Sequence, residues 1–320
     1  MKTVMKGGNV LGFLNVSNAY LTEQFQKIIP SEFNLNIKKL KFVGGGSYGK
    51  VFKAELSDGR IIALKAFRND GNQLKEAAQV RFLSAETNVR MPEILFTFSN
   101  GSVAFLGMSF IEGCNALNPV LLLKSREKKN SFAKSVVDGM FQWHSINGEK
   151  YGDIENPTYS SWMDYYRTEK QQPVLNGLSK LVDEGKYSRK LLAFLYEASE
   201  LFEKVYTEPD KPVLIHGDLN IMNIMVNPES LKLNGFIDPT GSAWADREYD
   251  LFQLRNMWGD CYGLYETYKE RAKLSDHSDF RIAYYAAINE ASCRLNGAIH
   301  IPLWEIQCNN RLKRELSKLK

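Results

Sequence analysis

Three short apolar runs, 212–216, 224–226 and 233–237, lie close together, each bounded by polar side chains at defined spacings. His216-Gly217-Asp218-Leu219-Asn220-Ile221-Met222-Asn223 closes the first run and fits H-x-D-x-x-x-x-N, while Asp238 ends the third. Apolar runs of this length between turn residues read as buried strands, so the stretch predicts an embedded hairpin with carboxylates at its strand ends. Asp218 can accept a proton from a hydroxyl, and the amide oxygen of Asn223 is a hard ligand suited to Mg²⁺. Asp238 can bridge such a metal to polyphosphate oxygens. A helix N-cap or turn role explains either aspartate alone. It explains poorly two that flank one hairpin with Asn223 between them.

The rest of the chain falls into two textures. Strands are expected at 40–43, 51–55 and 61–67, the last two joined by the hairpin turn Ser57-Asp58-Gly59. A short helix is expected at 73–84, then strands at 94–98 and 102–108 around Ser99-Asn100-Gly101. Past Gly113 the spacing turns helical, at 131–145, 190–205 and 280–298. The expected organisation is an N-terminal extension (1–36), a small lobe (37–108), a connector (109–113) and a large lobe (114–320). Residues 1–113 carry 14 basic and 9 acidic side chains, and the remainder 27 and 28, so positive charge gathers in the small lobe.

Gly44-Gly45-Gly46-Ser47-Tyr48-Gly49-Lys50-Val51 fits G-x-G-x-x-G-x-V between two expected strands. Gly44, Gly46 and Gly49 would let the backbone approach phosphates, with Ser47 and Val51 beside them. A flexible hairpin turn explains the loop equally well in isolation. A dinucleotide fingerprint does not, because it needs a helix where 51–55 reads as a strand. Lys65 ends the apolar run Ile62-Ala63-Leu64, sixteen residues after Gly49, where it can pair with nucleotide phosphates. Its expected ion-pair partner is Glu76, with Glu86 as the competitor beyond the apolar run of the helix.

In this order the motifs resemble the aminoglycoside phosphotransferase/choline kinase/fructosamine kinase superfamily over roughly residues 37–320, most specifically in HGDLNIMN and FIDPTGSAWADREYDL. The resemblance implies an α+β, two-lobed protein-kinase-like fold, with a small antiparallel-sheet N-lobe, a mainly helical C-lobe and ATP between them. It implies Asp218 as catalytic base, Asn223 and Asp238 as Mg²⁺ ligands, and Lys65 with Glu76 as the phosphate-orienting pair. Ser109 and Ile111 would mark a strand that hydrogen-bonds adenine. His144, in the helix segment Phe141-Gln142-Trp143-His144-Ser145, and Asp250 would have structural tasks, Asp250 on the catalytic-loop backbone. The ADREYDL ending is nearest the fructosamine kinase branch. HGD in place of HRD, and Pro239-Thr240 after Asp238, favour a small-molecule hydroxyl acceptor over a protein. The alternatives are a protein Ser/Thr kinase-like enzyme and a non-catalytic nucleotide-binding scaffold.

Composition narrows the partners. A net charge of +4 is too mild for nucleic-acid binding through bulk charge. Four scattered cysteines form no C-x-x-C pair, and no run approaches the 18 or so apolar residues of a membrane span, so a cytoplasmic protein, monomeric or weakly dimeric, is expected. Asp153, Glu155, Asp164, Asp260 and Glu266 fit either an acceptor pocket or, more commonly, a solvated surface. The nearby aromatic set Tyr159, Trp162, Tyr165, Tyr166, Trp258, Tyr262 and Tyr265 fits either core packing or stacking on an acceptor.

Overall fold

The computed structural model describes residues 16–298 and 300–319, so residues 1–15 of the expected extension lie outside it. The described chain groups into two units, one running to Ala77 and including Glu93–Phe110 and the short stretch from Ser292 to Ile301, the other made of Ala78–Pro92, Ile111–Ala291 and the chain from Pro302 onward.

In the first unit, helix α1 (Asn18–Phe33) starts where the Ser17 hydroxyl accepts from the Tyr20 amide at 3.1 Å, satisfying one of the helix's orphan donors. Strands β1 (Ile37–Gly45), β2 (Gly49–Leu56) and β3 (Ile61–Phe67) precede helix α2 (Asn72–Ala85), which belongs to the second unit from Ala78 on, and β4 (Ile94–Ser99) and β5 (Ala104–Ser109) follow it. The strands form one antiparallel sheet in the order β1-β2-β3-β5-β4. Leu21, Phe25, Ile28 and Ile29 recur at helical spacing on α1 and pack on Phe52, Leu64 and Phe105 of the sheet. Phe25 meets Phe52 and Phe105 edge-on, at 5.3 and 5.2 Å between ring centres.

The second unit is mainly helical. Its elements are β6 (Cys114–Asn115), α3 (Arg126–His144), β7 (Tyr151–Asp153), β8 (Pro157–Tyr159), α4 (Trp162–Tyr166), α5 (Gln172–Asp183) and α6 (Arg189–Val205). After them come β9 (Val213–Ile215), β10 (Ile224–Val226), β11 (Leu233–Phe236), β12 (Ala243–Ala245) and α7 (Glu248–Leu251). Helices α8 (Leu264–Lys269), α9 (Ser278–Asn296) and α10 (Pro302–Ser317) complete the described chain. The architecture is α+β, a small antiparallel sheet and a mainly helical body, as expected. The expected hairpin is present as β10 and β11. Strand β9, however, joins a separate sheet ordered β8-β7-β12-β9, because the chain turns sharply at Gly217, whose φ is +77°. Among the described residues no helix is long and apolar enough to cross a membrane.

Candidate active site

The loop leaving β9 is held at its backbone before any side chain acts. Asp250, at the third position of α7, accepts the His216 amide at 2.9 Å and the Gly217 amide at 2.7 Å, one on each carboxylate oxygen. His144 Nε2 lies 3.3 Å from the same carboxylate, and its Nδ1 is 2.8 Å from the Tyr268 hydroxyl. Burial alone would raise the Asp250 pKa, but the His144 contact, the nearby imidazoles and the His216 amide hold it below the usual carboxylate range. Burial pushes the His216 imidazole the other way, toward its neutral form, and its Nε2 sits 3.2 Å from the Ile237 carbonyl. His144 and Asp250 therefore have the structural tasks expected of them.

Gly217 packs its backbone against Gly241. A Cβ at 217 would stand 1.9 Å from the Gly241 carbonyl oxygen, and one at 241 would stand 2.5 Å from that of Gly217. Both positions need glycine.

On this frame the Asp218 carboxylate is gripped by side-chain amides. Asn220 Nδ2 donates to Oδ1 at 2.9 Å, Asn223 Nδ2 to Oδ2 at 3.0 Å, and Gln253 Nε2 to Oδ1 at 3.0 Å. Asn223 also donates to the Asp218 carbonyl at 2.7 Å, and its own carbonyl accepts from Ile237, tying the loop to the residue before Asp238. Asp238 itself has a left-handed backbone, φ +60°, a conformation that aspartate enters more readily than most side chains. Gln253 is the residue that sequence reasoning missed. It lies 35 residues from Asp218 with no motif spacing to flag it.

In the first unit, Lys65 lies opposite Val51 across β2 and β3, and its ammonium meets Glu76 of α2 at 2.7 Å, both side chains buried. Glu86, the competitor, is exposed and follows the end of α2. The glycine loop divides into two kinds of position. A Cβ at Gly45 or Gly49 would lie 2.8 or 2.7 Å from a backbone oxygen, whereas Gly44 and Gly46 have nothing within 4 Å. Packing within the protein thus accounts for two glycines and leaves Gly44 and Gly46 to another cause. The Gly46 amide closes the turn on the Gly49 carbonyl at 2.9 Å, and Ser47 lies within that turn. The stretch expected to hydrogen-bond adenine lies where β5 ends. Ser109 ends β5, its amide and hydroxyl both bonded to the Glu93 backbone at 2.8 Å, and Ile111 lies beyond the strand with its side chain buried.

The residues that sequence reading set aside for an acceptor part company. Asp153, Glu155, Asp164, Asp260 and Glu266 are exposed, as expected of solvated carboxylates. Trp162, Tyr166, Tyr262 and Tyr265 are buried, and Trp162 and Tyr166 belong to a ring cluster with Phe202, Tyr249 and Tyr285. Trp258 is exposed.

The sequence model of the phosphotransferase enzyme family (APH) matches residues 39–282. The uncharacterised protein YcbJ of Escherichia coli K12 is 20% identical over 234 residues, 72% of this chain and 78% of that one. Streptomycin 3''-kinase of Streptomyces griseus is 37% identical over 91 residues, 27% of this chain and 30% of its own. Among solved structures, a protein assigned as fructosamine-3-kinase from Thermobifida fusca superposes with a TM-score of 0.66 at 17% identity, covering 89% of this chain and 97% of that one. A thermostable mutant of aminoglycoside phosphotransferase APH(4)-Ia, in a ternary complex with AMP-PNP and hygromycin B, gives 0.68 at 14% identity over 91% and 97%. At such identities these structures establish a shared fold.

Proposed function

The chain belongs to the phosphotransferase enzyme family, and on that premise we propose that it moves the γ-phosphoryl group of ATP to a hydroxyl of a small molecule. The observation that carries this reading is the Asp218 carboxylate, fixed by amides from Asn220, Asn223 and Gln253 on a loop that Asp250 holds rigid. Phosphoryl transfer asks a protein mainly for positioning and charge neutralisation, and a carboxylate with its rotamer locked answers the first need. In the reaction the acceptor oxygen bonds to the γ-phosphorus as the bond to the ADP oxygen breaks, and the hydroxyl proton passes to Asp218.

The other residues fit the donor side. Lys65, held by Glu76, would pair with the nucleotide phosphates, and the unobstructed Gly44 and Gly46 would let backbone amides approach them. Asn223 commits its Nδ2 to Asp218, which turns its Oδ1 to other use. That oxygen and the Asp238 carboxylate are hard donors of the sort Mg²⁺ takes. When bound there, the ion would offset charge on the phosphates.

The test incubates purified protein, Mg²⁺ and ATP with a desalted metabolite extract and follows products by mass spectrometry. A metabolite gaining a phosphoryl group with the parent protein, and not with Asp218→Asn, is the expected result. Equal turnover by Asp218→Asn would refute the assignment of the base. Label transferred to protein bands alone would turn the reading toward a protein acceptor.

A further inference from the structure

The connection from β6 to α3 sends its apolar side chains both inward and outward. Pro119–Leu123 is a single 3-10 turn, started where the Asn118 side chain accepts the Val120 amide at 3.2 Å. In such a turn, residues three apart stand one above the other. Leu121 points inward and is fully buried, whereas Val120 and Leu123 share a ridge in solvent, 59% and 85% exposed. Leu123 is the most exposed large apolar side chain among the described residues. Single apolar side chains on a surface are ordinary. What sets this turn apart is the charge that follows it.

Lys124, Arg126, Lys128, Lys129 and Lys134 come directly after the ridge, all exposed or half-buried. Arg126 neighbours Glu127, and the four lysines make no ion pair among the described residues. Lys128 donates instead to the Glu229 carbonyl at 3.2 Å, which brings the turn between β10 and β11 beside the start of α3. Residues 112–134 and that turn, 227–232, together hold six cations against three carboxylates, Glu112, Glu127 and Glu229. Residues 114–320 as a whole carry 27 basic and 28 acidic side chains, so the excess is local. Carboxylates beyond the segment do not offset it. Asp138, farther along α3, is held by Arg271 at 2.7 Å, and Asp260 by Arg255 and Arg311 at 3.2 and 2.8 Å. Glu266 and Glu270 belong to the stretch around α8, whose Tyr268 stacks on Phe141. That contact lies about 20 Å along the helix axis from Lys128.

We propose that the turn Pro119–Leu123 and the start of α3 form a docking surface for a bilayer with anionic headgroups, peripheral and reversible. Val120 and Leu123 enter the boundary between headgroups and acyl chains, and the lysines and Arg126 stay with the lipid phosphates and carboxylates. A nucleic acid would meet the cations and leave the aliphatic ridge in water. A protein partner needs a broad apolar centre bounded by a polar rim. A side chain as exposed as Leu123 stands clear of its surroundings, a shape that enters a fluid phase and offers little flat area to a protein.

The test sediments the purified protein with sucrose-loaded phosphatidylcholine vesicles made with and without phosphatidylserine. Binding is expected where phosphatidylserine is present, and it should fall as salt is raised. Leu123→Asp should weaken the partition about tenfold or more, with Leu123→Ser between it and the parent. Lys124→Glu combined with Lys128→Glu should remove most of the dependence on phosphatidylserine. Ile306→Asp, at an apolar position of α10 that is 54% exposed, should bind as the parent does. Failure of the parent to sediment with phosphatidylserine vesicles would overturn the proposal. So would undiminished binding by Leu123→Asp, or an equal loss in Ile306→Asp, which would mark unspecific apolar adhesion. Retention on single-stranded DNA that survives Leu123→Asp, with vesicles ignored, would assign the cations to a nucleic acid instead.

Discussion

At the residue scale, the grip on Asp218 is shared between motif and non-motif side chains. Asn220 and Asn223 act from two and five residues away, whereas Gln253 arrives from the far side of α7. Gln253→Leu removes one donor to a carboxylate, and a hydrogen bond to a charged group contributes about 1.5–3 kcal/mol. We expect kcat to fall about tenfold or more, with the ATP KM unmoved, in steady-state assays on the acceptor identified above. A parent-like kcat would remove Gln253 from the positioning role. Lys65→Met should behave differently, because it strands the Glu76 carboxylate in a buried site. Breaking a buried pair from one side costs about 3–5 kcal/mol, so a large drop in denaturation midpoint should accompany the loss of nucleotide binding, and Glu76→Gln in the same background should recover part of the midpoint. Asp218, Asn223, Lys65 and Glu76 could be singled out from the sequence because they stand in short motifs along strands and one helix. Gln253 could not, since a contact made across 35 residues leaves no periodic mark.

At the element scale, legibility followed length. Strand β3 matches its expected range of 61–67, and α6 and β10 fall within a residue of theirs. Strands β6, β7, β8 and β12 are two or three residues long, too short for alternation to register, and became visible only through their pairings. Helix α1 was overlooked for another reason. Its apolar stripe and Ser17 cap are in the sequence, but Pro30 sits inside its last turn, where a proline ordinarily argues against a helix. The helix nevertheless carries much of the sheet's apolar cover. Phe25→Ala should therefore cost about 3–5 kcal/mol, read as a shift in chemical denaturation followed by near-UV circular dichroism. A shift under about 1 kcal/mol would mean that α1 is peripheral to the fold. Helix α10 was missed as well. Its sequence PLWEIQCNNRLKRELS buries polar and charged side chains, Glu305, Asn309 and Glu315, alongside Cys308, Leu312 and Leu316, which blurs an apolar stripe.

At the scale of the whole molecule, burial of like charge should make stability depend on pH. Glu290 has a folded-state pKa of about 7, above the usual glutamate value, through desolvation and the charge of Glu305. A carboxyl that holds its proton more tightly when folded stabilises the protein below about pH 4, and that contribution is lost as pH rises through about 7. Thermal midpoints of the parent should therefore decline between about pH 5 and 8, and Glu290→Gln should flatten the decline and raise the midpoint at the alkaline end. Parallel pH profiles for the two proteins would exclude Glu290 as the source. The close approach of Gly217 and Gly241 has its own consequence for regulation. Enzymes that are switched by phosphorylation can place an arginine beside the catalytic aspartate to receive the added phosphate. Here that place is filled by another strand of backbone, and no side chain can enter it without displacing the loop. A switch of that kind therefore lies beyond the reach of a single substitution at 217.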